Sequence, residues 1–384
     1  MRASAFLYPW DVTGDPHAAA RIVDLGVRQV TLAAAYHSTR ALTPRHPRHR
    51  IVTAPHAAVL YPPDPAYWAG RGLRPYGPGD WAPGDAFGEA AAALADAGLD
   101  VHSWVVLAHN SRLGAEQPDT SVVNAYGDRY PWAPCIAQPA VRDHLVALAA
   151  EAAPRPGARG TELESCGWYG LAHLHAHDKI AGVGLGDAAQ YLMSLCFCPF
   201  CRQGYADRGI APDRLARAVR QALEPVWRGA APPGDRLLGP ELATPVLQFR
   251  THTARTFQES AIAAVRAAAP PGFQVLLHAD PVAHHCGANA GVDAAHILSV
   301  ADGVVVPCAQ GPGLLEPFAR HAPDGAVLAA NLTVVAGMGG SPATLAADAA
   351  RAAASGATEL RLYHAGLASD ADLTAVRTAL ADLT

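Results

Sequence analysis

A repeating pattern of apolar runs constrains the fold of this 384-residue chain more than any other feature. Alanine-rich amphipathic segments end in glycine, and a short apolar run follows within a few residues. Glycine near a helix end supplies a left-handed cap, and the apolar run is typical of a buried parallel strand. The runs span residues 4–8, 29–34, 101–107, 161–166, 274–278, 303–308, 326–331 and 359–363. Eight such units predict a single (β/α)8 barrel.

The alternative architecture is a doubly wound open sheet, which would carry a glycine-rich phosphate loop after its first strand. Residues 8–15 occupy that position and lack such a pattern. We therefore expect one barrel domain over residues 1–384, with loop insertions at about 38–86, 109–138 and 167–250. Loops that follow the strands' carboxyl ends crowd one face of a barrel, where barrel enzymes keep their active sites.

Composition excludes several partner classes. The formal net charge is −5 and no basic stripe is present, which argues against nucleic acid as the main partner. No apolar run reaches the ~18 residues of a membrane span, and the N-terminal segment does not resemble a signal peptide. We expect a cytoplasmic protein in which the seven cysteines are buried thiols or metal ligands. Homo-oligomers are compatible with the sequence, but nothing in it specifies an interface.

Polar and aromatic side chains follow the predicted strands and predict a binding crevice. Aromatic, amide and imidazole groups suit a neutral polyhydroxylated ligand such as a carbohydrate, and no Arg/Lys cluster favours a phosphorylated one. The alternative is that such residues satisfy loop backbones. Trp68 belongs to an aromatic loop expected to stack on sugar rings. The other candidate substrate-binding residues are Tyr8, Asp11, Tyr36, His37, His109, Asn110, His278, Asn331, Tyr363 and His364.

Two glutamates on the fourth predicted strand are the main catalytic candidates. Glu162 and Glu164 lie two residues apart, so their side chains point to the same face of the strand. Paired carboxylates raise each other's pKa, which suits one of them to general acid catalysis. We favour Glu164, which is nearer the strand's end, with Glu162 one layer deeper to orient it. The alternative is that one glutamate pairs with a histidine or Lys179 and only orders a loop.

The motif Cys196-x-Cys198-x-x-Cys201 indicates a structural zinc site. Such sites take four ligands, often thiolates, in a tetrahedron. The fourth ligand must come from elsewhere, and the candidates are a histidine or one of Cys135, Cys166, Cys286 and Cys308. The alternative is a set of packed thiols. Two histidine groups are weaker candidates for a catalytic metal, namely His173, His175 and His177, and the pair His284 and His285.

The segment 196–205 resembles the zinc-binding segment of glycoside hydrolase family 42 β-galactosidases, which are (β/α)8 barrels. In that family a lone upstream cysteine completes the metal site, and the resemblance places this ligand at Cys135. It also implies that Glu164 is the acid/base residue.

The sequence departs from that family at the catalytic positions. Leu163 stands where the family's barrels place asparagine, and the seventh strand carries no carboxylate for a nucleophile. Asp280 is the best second carboxylate, ahead of Asp11 and Glu162. Carboxyl groups farther apart than in retaining enzymes would predict an inverting mechanism with water between them.

Three functional hypotheses follow. The first is a glycoside hydrolase-like enzyme acting on a neutral carbohydrate by carboxylate acid/base catalysis, with a structural zinc ion. The second is a metal-dependent lyase, isomerase or hydrolase with histidine and carboxylate ligands. The third is a carbohydrate-binding barrel that has lost catalysis.

Overall fold

A computed structural model describes residues 1–174, 178–230 and 238–383, and within them eight parallel strands form a closed barrel. Each strand pairs with the next along the chain, and the last pairs with the first through the register Arg2 to Glu359. The (β/α)8 barrel prediction is confirmed. The strands are β1 (Arg2–Leu7), β2 (Gln29–Tyr36), β3 (Asp100–Val106), β4 (Ala158–Glu164), β5 (Gln274–Asp280), β6 (Gly303–Pro307), β7 (Val327–Thr333) and β8 (Glu359–Tyr363).

Helices surround the barrel and cover its outer face. Their apolar sides pack on the strands, and the long α8 also packs against α4. The α-helices are α1 (Ala18–Val23), α2 (Ala86–Asp96), α3 (Ser111–Glu116), α4 (Pro139–Ala152), α5 (Gly186–Met193), α6 (Pro199–Ala206), α7 (Pro212–Trp227), α8 (Pro240–Ala268), α9 (Ala294–Val300), α10 (Glu316–Ala319), α11 (Leu345–Ala354) and α12 (Asp370–Asp382). Short 3-10 helices span Pro9–Asp11, Pro118–Thr120, Ile180–Gly182, Pro312–Leu315, Ala336–Met338 and Pro342–Thr344.

Short strands decorate the carboxyl-end loops. Thr39–Leu42 pairs with Ile51–Ala54, and Ser121–Val123 pairs with Arg129–Pro134, both antiparallel. Ala58–Val59 pairs with the end of β2 in antiparallel orientation, and Ala290–Gly291 pairs with the end of β5 in parallel orientation. Within the described segments, no helix has both the length and the hydropathy of a membrane span.

The barrel interior changes character from one end to the other. Alternate residues of each strand point inwards, so side chains stack in layers. One interior cluster is apolar and consists of Leu276, Val305, Val327 and Ala329. A second is aromatic and includes Phe6, Tyr8, Tyr36 and Trp104. Charged and polar side chains from β4, β5 and β8 lie close to this aromatic cluster, at the carboxyl ends of the strands.

Candidate functional site

A cavity of about 600 Å³, called the main cavity below, opens at the carboxyl ends of the strands. The positions of the loop insertions in the sequence predicted a site at this face of the barrel. Among the described residues, six of the strands and the loops that follow every strand except β3 contribute to its wall. Among the predicted catalytic and substrate-binding residues, those lining it are Tyr8, Tyr36, His37, Glu164, His278, Asn331 and Tyr363.

Glu164 is the last residue of β4 and is only 8% exposed, yet it lines the main cavity. Its Oε2 accepts a hydrogen bond from Trp104 Nε1 at 2.7 Å and lies 4.0 Å from His278 Nδ1. Burial raises the pKa of Glu164, and the opposing effects of His278 and Trp104 do not cancel it. A carboxyl with a raised pKa at a cavity wall is suited to donate a proton.

The backbone directly after Glu164 is strained. Ser165 has φ of 53°, the left-handed region that non-glycine residues rarely adopt, and its N–H donates to the Ala288 carbonyl at 2.8 Å. Such strain persists only where the surrounding structure fixes it, and it concentrates at functional sites. Here it turns the chain sharply out of β4 at the carboxyl that faces the cavity.

Glu162 lies two residues earlier on β4 and is fully buried. Its Oε1 accepts hydrogen bonds from Arg361 Nε and, at 3.0 Å, from Thr31 Oγ1. Its Oε2 lies 3.4 Å from His278 Nε2. Burial acts to raise the pKa of Glu162, but the Arg361 guanidinium and His278 outweigh it and lower the pKa to about 2.

His278 lies between the two glutamates, so both point to one face of β4 as their spacing predicts. The alternative expectation is that one glutamate pairs with a histidine, and Glu162 does so with His278. Arg361 is the partner that sequence analysis missed, and it also donates to Glu359 at 2.8 Å. Glu162 does not line the main cavity. It contacts His278, which does line it, so Glu162 supports the cavity wall from behind.

Three tyrosines form the polar aromatic part of the wall. Tyr8 donates from its hydroxyl to that of Tyr36 at 3.2 Å, and the two rings meet edge to face. Burial raises the pKa of both phenols well above the ordinary value, and raises that of Tyr363 to about 12. All three therefore stay protonated at neutral pH. Their hydroxyls offer uncharged hydrogen-bonding groups of the kind that sugar hydroxyls match.

Asp11 and His364 lie behind this wall and do not line the main cavity. Asp11 Oδ2 accepts from the Tyr8 backbone N–H at 2.8 Å, and burial raises the Asp11 pKa to about 7. His364 is fully buried and stacks on Tyr8 with ring centroids 4.3 Å apart. Both residues therefore hold Tyr8 in place, and their predicted contact with substrate is not provided by this geometry.

Two further predicted binding residues serve local structure instead. Asn110 caps α3, accepting from the Leu113 N–H at 3.0 Å. Trp68 is 3% exposed and donates from Nε1 to Glu151 at 2.8 Å, away from the main cavity. Its indole is held in the core by apolar packing and this hydrogen bond, so the geometry corrects the expectation that it stacks on a sugar.

Asp280 ends β5 and lines an adjoining cavity of about 440 Å³. Its Oδ2 lies 3.0 Å from His285 Nδ1, and its Oδ1 accepts from the Val282 N–H at 2.8 Å. The hydrogen bond that His285 donates to Asp280 raises the pKa of His285. Both cavities touch His173 and Asn289. Among the described residues that line the main cavity, Glu164 is the sole carboxylate.

Three histidines, called the histidine cluster below, meet at the mouth of the barrel. His37, His109 and His173 follow β2, β3 and β4, and one ring nitrogen of each lies within 4.8 Å of the others. Burial lowers the pKa of all three, to about 4 for His37 and about 2 for His109. His175 and His177, the other members of the predicted histidine motif, lie outside the described residues.

Four buried cysteines, called the cysteine cluster below, gather beside the loops after β3 and β4. Their sulfurs lie within 4.8 Å of one another, with Cys135 Sγ 3.7 Å from Cys198 Sγ and 3.6 Å from Cys201 Sγ. A tetrahedral zinc ion with bonds of about 2.3 Å holds its sulfurs roughly 3.8 Å apart, so the donor set fits. The cysteine cluster consists of Cys196, Cys198 and Cys201 together with Cys135 as the fourth member, and Cys166, Cys286 and Cys308 lie outside it.

The cysteine cluster joins two insertions of the barrel. Around it the Phe197 N–H donates to the Val123 carbonyl at 2.6 Å, and Tyr130 donates to the Met193 carbonyl at 2.9 Å. These bonds tie the hairpin after β3 to the chain after β4. A metal held here would fix these two insertions relative to each other.

Sequence analysis also missed Trp104 and Tyr169. Trp104 lies in the apolar run of β3, where an indole is typical of core packing, and only the neighbouring β4 shows that it donates to Glu164. Tyr169 stacks on His109 with centroids 4.2 Å apart and closes the histidine cluster from one side. Arg361 carried a usable signal, because an arginine inside a buried strand requires a buried acidic partner.

The sequence matches no family model. It also matches no curated protein. Solved structures with a similar fold include the PgaB (BpsB) glycoside hydrolase domain from Bordetella bronchiseptica, with a TM-score of 0.60, 15% identity, and 99% of each chain covered. The α-L-fucosidase isoenzyme 2 from Paenibacillus thiaminolyticus gives a TM-score of 0.60 at 14% identity over all of this chain and 49% of that one.

A β-galactosidase from Marinomonas ef1 gives a TM-score of 0.56 at 10% identity over all of this chain and 59% of that one. The chain therefore spans about half to three fifths of the fucosidase and galactosidase chains. At such identities the likeness concerns the backbone alone. What these structures share with this chain is the (β/α)8 barrel.

Proposed function

We propose that this protein is a glycoside hydrolase-like enzyme that acts on a neutral carbohydrate or glycoside, with Glu164 as its general acid. The observation that carries the proposal is a buried carboxyl with a raised pKa in the wall of a polar, aromatic cavity. The solved structures with similar folds are described as an α-L-fucosidase and a glycoside hydrolase domain, which agrees with this assignment.

In this mechanism protonated Glu164 donates its proton to the glycosidic oxygen as the bond to the leaving group breaks. The carboxylate that remains keeps the hydrogen bond from Trp104 and faces His278. Tyr8, Tyr36 and Tyr363 contribute neutral hydroxyls for the sugar, and Asn331 contributes an amide oxygen that has no partner among the described residues.

Asp280 is the second carboxylate in our proposal. It lies in the adjoining cavity and holds His285, so the pair is suited to take a proton from water entering from that side. A base in the adjoining cavity would act through a water molecule placed between the two carboxyl groups, which is the mechanism of inverting glycosidases.

We also propose that the cysteine cluster holds a structural zinc ion, and that the chain is a divergent relative of glycoside hydrolase family 42. The support is the sulfur geometry and the position of Glu164 at the end of β4. Zinc bound by four thiolates has no open position for substrate, so its contribution is to fold and loop placement.

The test is turnover of a panel of aryl and alkyl glycosides by the wild-type protein and by Glu164→Gln. We expect at least one substrate to be hydrolysed and the variant to lose about 10²- to 10⁴-fold in kcat/KM. Glu224→Gln is the matched control, because Glu224 is exposed on α7 and pairs with Arg228, the residue that follows this helix. The control should retain wild-type turnover.

Carbohydrate binding without any turnover would replace this proposal with the non-catalytic barrel. Equal turnover by wild type and Glu164→Gln would remove Glu164 from the mechanism. Binding of each sugar by calorimetry, run beside the kinetic panel, separates these two outcomes.

A further inference from the structure

The histidine cluster is not used by the proposed acid/base mechanism, although it lies at the edge of the main cavity. His37 and His173 line that cavity together with Glu164. The three residues follow three consecutive strands, so the barrel itself brings them together. Three imidazoles converging on one point are rarely required for packing, because each leaves a polar nitrogen to satisfy.

The hydrogen bonds leave lone pairs available in the cluster. His37 Nδ1 lies 2.8 Å from the Ser38 carbonyl oxygen, so this nitrogen carries the proton and Nε2 keeps its lone pair. His109 is 3% exposed, and its Nε2 has no hydrogen-bond partner among the described residues. The hydrogen bond from His37 Nδ1 to Ser38 is of the kind that orients histidine ligands in metal sites, where the ring nitrogen that does not bind the metal donates to a neighbouring oxygen.

The surroundings fix two rings and leave the third adjustable. His37 stacks on Tyr36 and His109 stacks on Tyr169, in both cases with centroids 4.2 Å apart. His173 is exposed, and its Nε2 lies 3.4 Å from the Tyr169 hydroxyl. Metal–nitrogen bonds of about 2.0–2.1 Å require the nitrogens to lie roughly 3.4 Å apart, so a bound ion would draw the three rings together from separations of at most 4.8 Å.

We propose that His37, His109 and His173 bind a divalent transition-metal ion of the zinc type, with an open coordination position towards the main cavity. Three neutral imidazoles with one open position are a ligand set of catalytic zinc sites. No carboxylate belongs to the cluster within the described residues, which favours zinc-like ions over calcium or magnesium. This site is separate from the cysteine cluster and does not depend on the proposed glycosidase activity.

The experiment is a Co²⁺ titration of the metal-stripped full chain, followed by visible and X-ray absorption spectroscopy. Cobalt bound to thiolates shows sulfur-to-metal charge-transfer bands, whereas cobalt bound to imidazoles does not, so the two clusters report separately. We expect the wild-type chain to bind one nitrogen-ligated ion in addition to any ion held by sulfur. Calorimetry with Zn²⁺ measures its affinity.

His173→Gln should weaken the nitrogen-ligated site by about 100-fold or more without changing the sulfur-ligated one, because losing a ligand exceeds the cost of losing an outer-shell contact. The exposed side chain makes this variant safe for folding. His37→Gln provides a second variant, and the exposed His252→Gln is the control, with wild-type binding expected. A wild-type chain with no nitrogen-ligated ion, or unchanged binding in both cluster variants, would overturn the proposal.

Discussion

Two glutamates lie two residues apart on β4, in adjacent layers of the barrel interior, and their pKa values are shifted in opposite directions. Glu162 lies in a closed layer against Arg361, which lowers its pKa to about 2 in spite of burial. Glu164 lies at the open mouth, where burial raises its pKa and Trp104 and His278 offset that only in part. The comparison teaches that the charged and polar partners supplied by other strands decide which of the two carboxyl groups keeps a proton to donate.

The largest expected effect comes from removing the cation of the closed layer. Arg361→Met leaves Glu162 buried without its ionic partner, so the free energy of unfolding at neutral pH should fall by about 3–5 kcal/mol. Urea denaturation measures it. Glu164→Gln is the comparison variant, and its unfolding free energy should not fall, because the change removes a charge that burial disfavours. Equal losses in both variants would erase the distinction between the layers.

The effect of Arg361→Met should depend on pH. In the wild type the low pKa of Glu162 gives stability that is present above its unfolded pKa of about 4.3 and is lost as pH falls towards 2. In the variant, burial raises that pKa, so ionised Glu162 costs stability at neutral pH and the cost disappears on protonation.

The difference in unfolding free energy between wild type and Arg361→Met should therefore shrink on acidification from pH 7 to pH 3, by up to about 3 kcal/mol. Denaturant melts at several pH values test this. A difference that is constant over this range would show that Glu162 is not the group responsible.

A smaller effect is expected at the mouth. Trp104→Phe removes the hydrogen bond that favours the ionised form of Glu164, so the pKa of Glu164 should rise further. In the pH–rate profile, activity falls at high pH because the general acid loses its proton, and this fall should move to higher pH in the variant. We expect little change in the ring packing with Phe6, whose centroid lies 4.7 Å away. A fall that stays in place or moves to lower pH would contradict the role given to Trp104.

The smallest effect is expected at Asn331. Its Oδ1 has no partner among the described residues, so Asn331→Ala should leave the unfolding free energy nearly unchanged. Sugar binding should weaken by about 0.5–1.5 kcal/mol, the typical net value of one hydrogen bond. Calorimetric binding of a substrate found in the glycoside panel measures this. A stability loss larger than the binding loss would make Asn331 a structural residue.

The fold was predictable because its signals are local. Each of the eight strands is a short apolar run, those after β1 follow a helix with glycine near the junction, and barrel closure follows from the number of units. Glu164 was predictable for the same reason, since its place at the end of a strand sets its place at the mouth.

What could not be predicted depends on contacts between strands. Arg361 inside a buried strand implies an acidic partner, but the sequence does not show that the partner is Glu162 on β4. Nothing local shows that Trp104 on the neighbouring β3 donates to Glu164. Trp68 shows the opposite failure, because an aromatic residue in a long loop has the same sequence signature whether it packs in the core or faces a ligand. The structure gives it a buried partner in Glu151.

The most direct test of the central claim, that Glu164 is the general acid, is the dependence of Glu164→Gln on the leaving group. Glycosides with poor leaving groups need protonation, whereas activated aryl glycosides do not. We predict that the variant loses about 10²- to 10⁴-fold in kcat/KM on alkyl glycosides and far less on dinitrophenyl glycosides. Equal losses on both would contradict the claim, because they would mean that Glu164 shapes the site without transferring the proton.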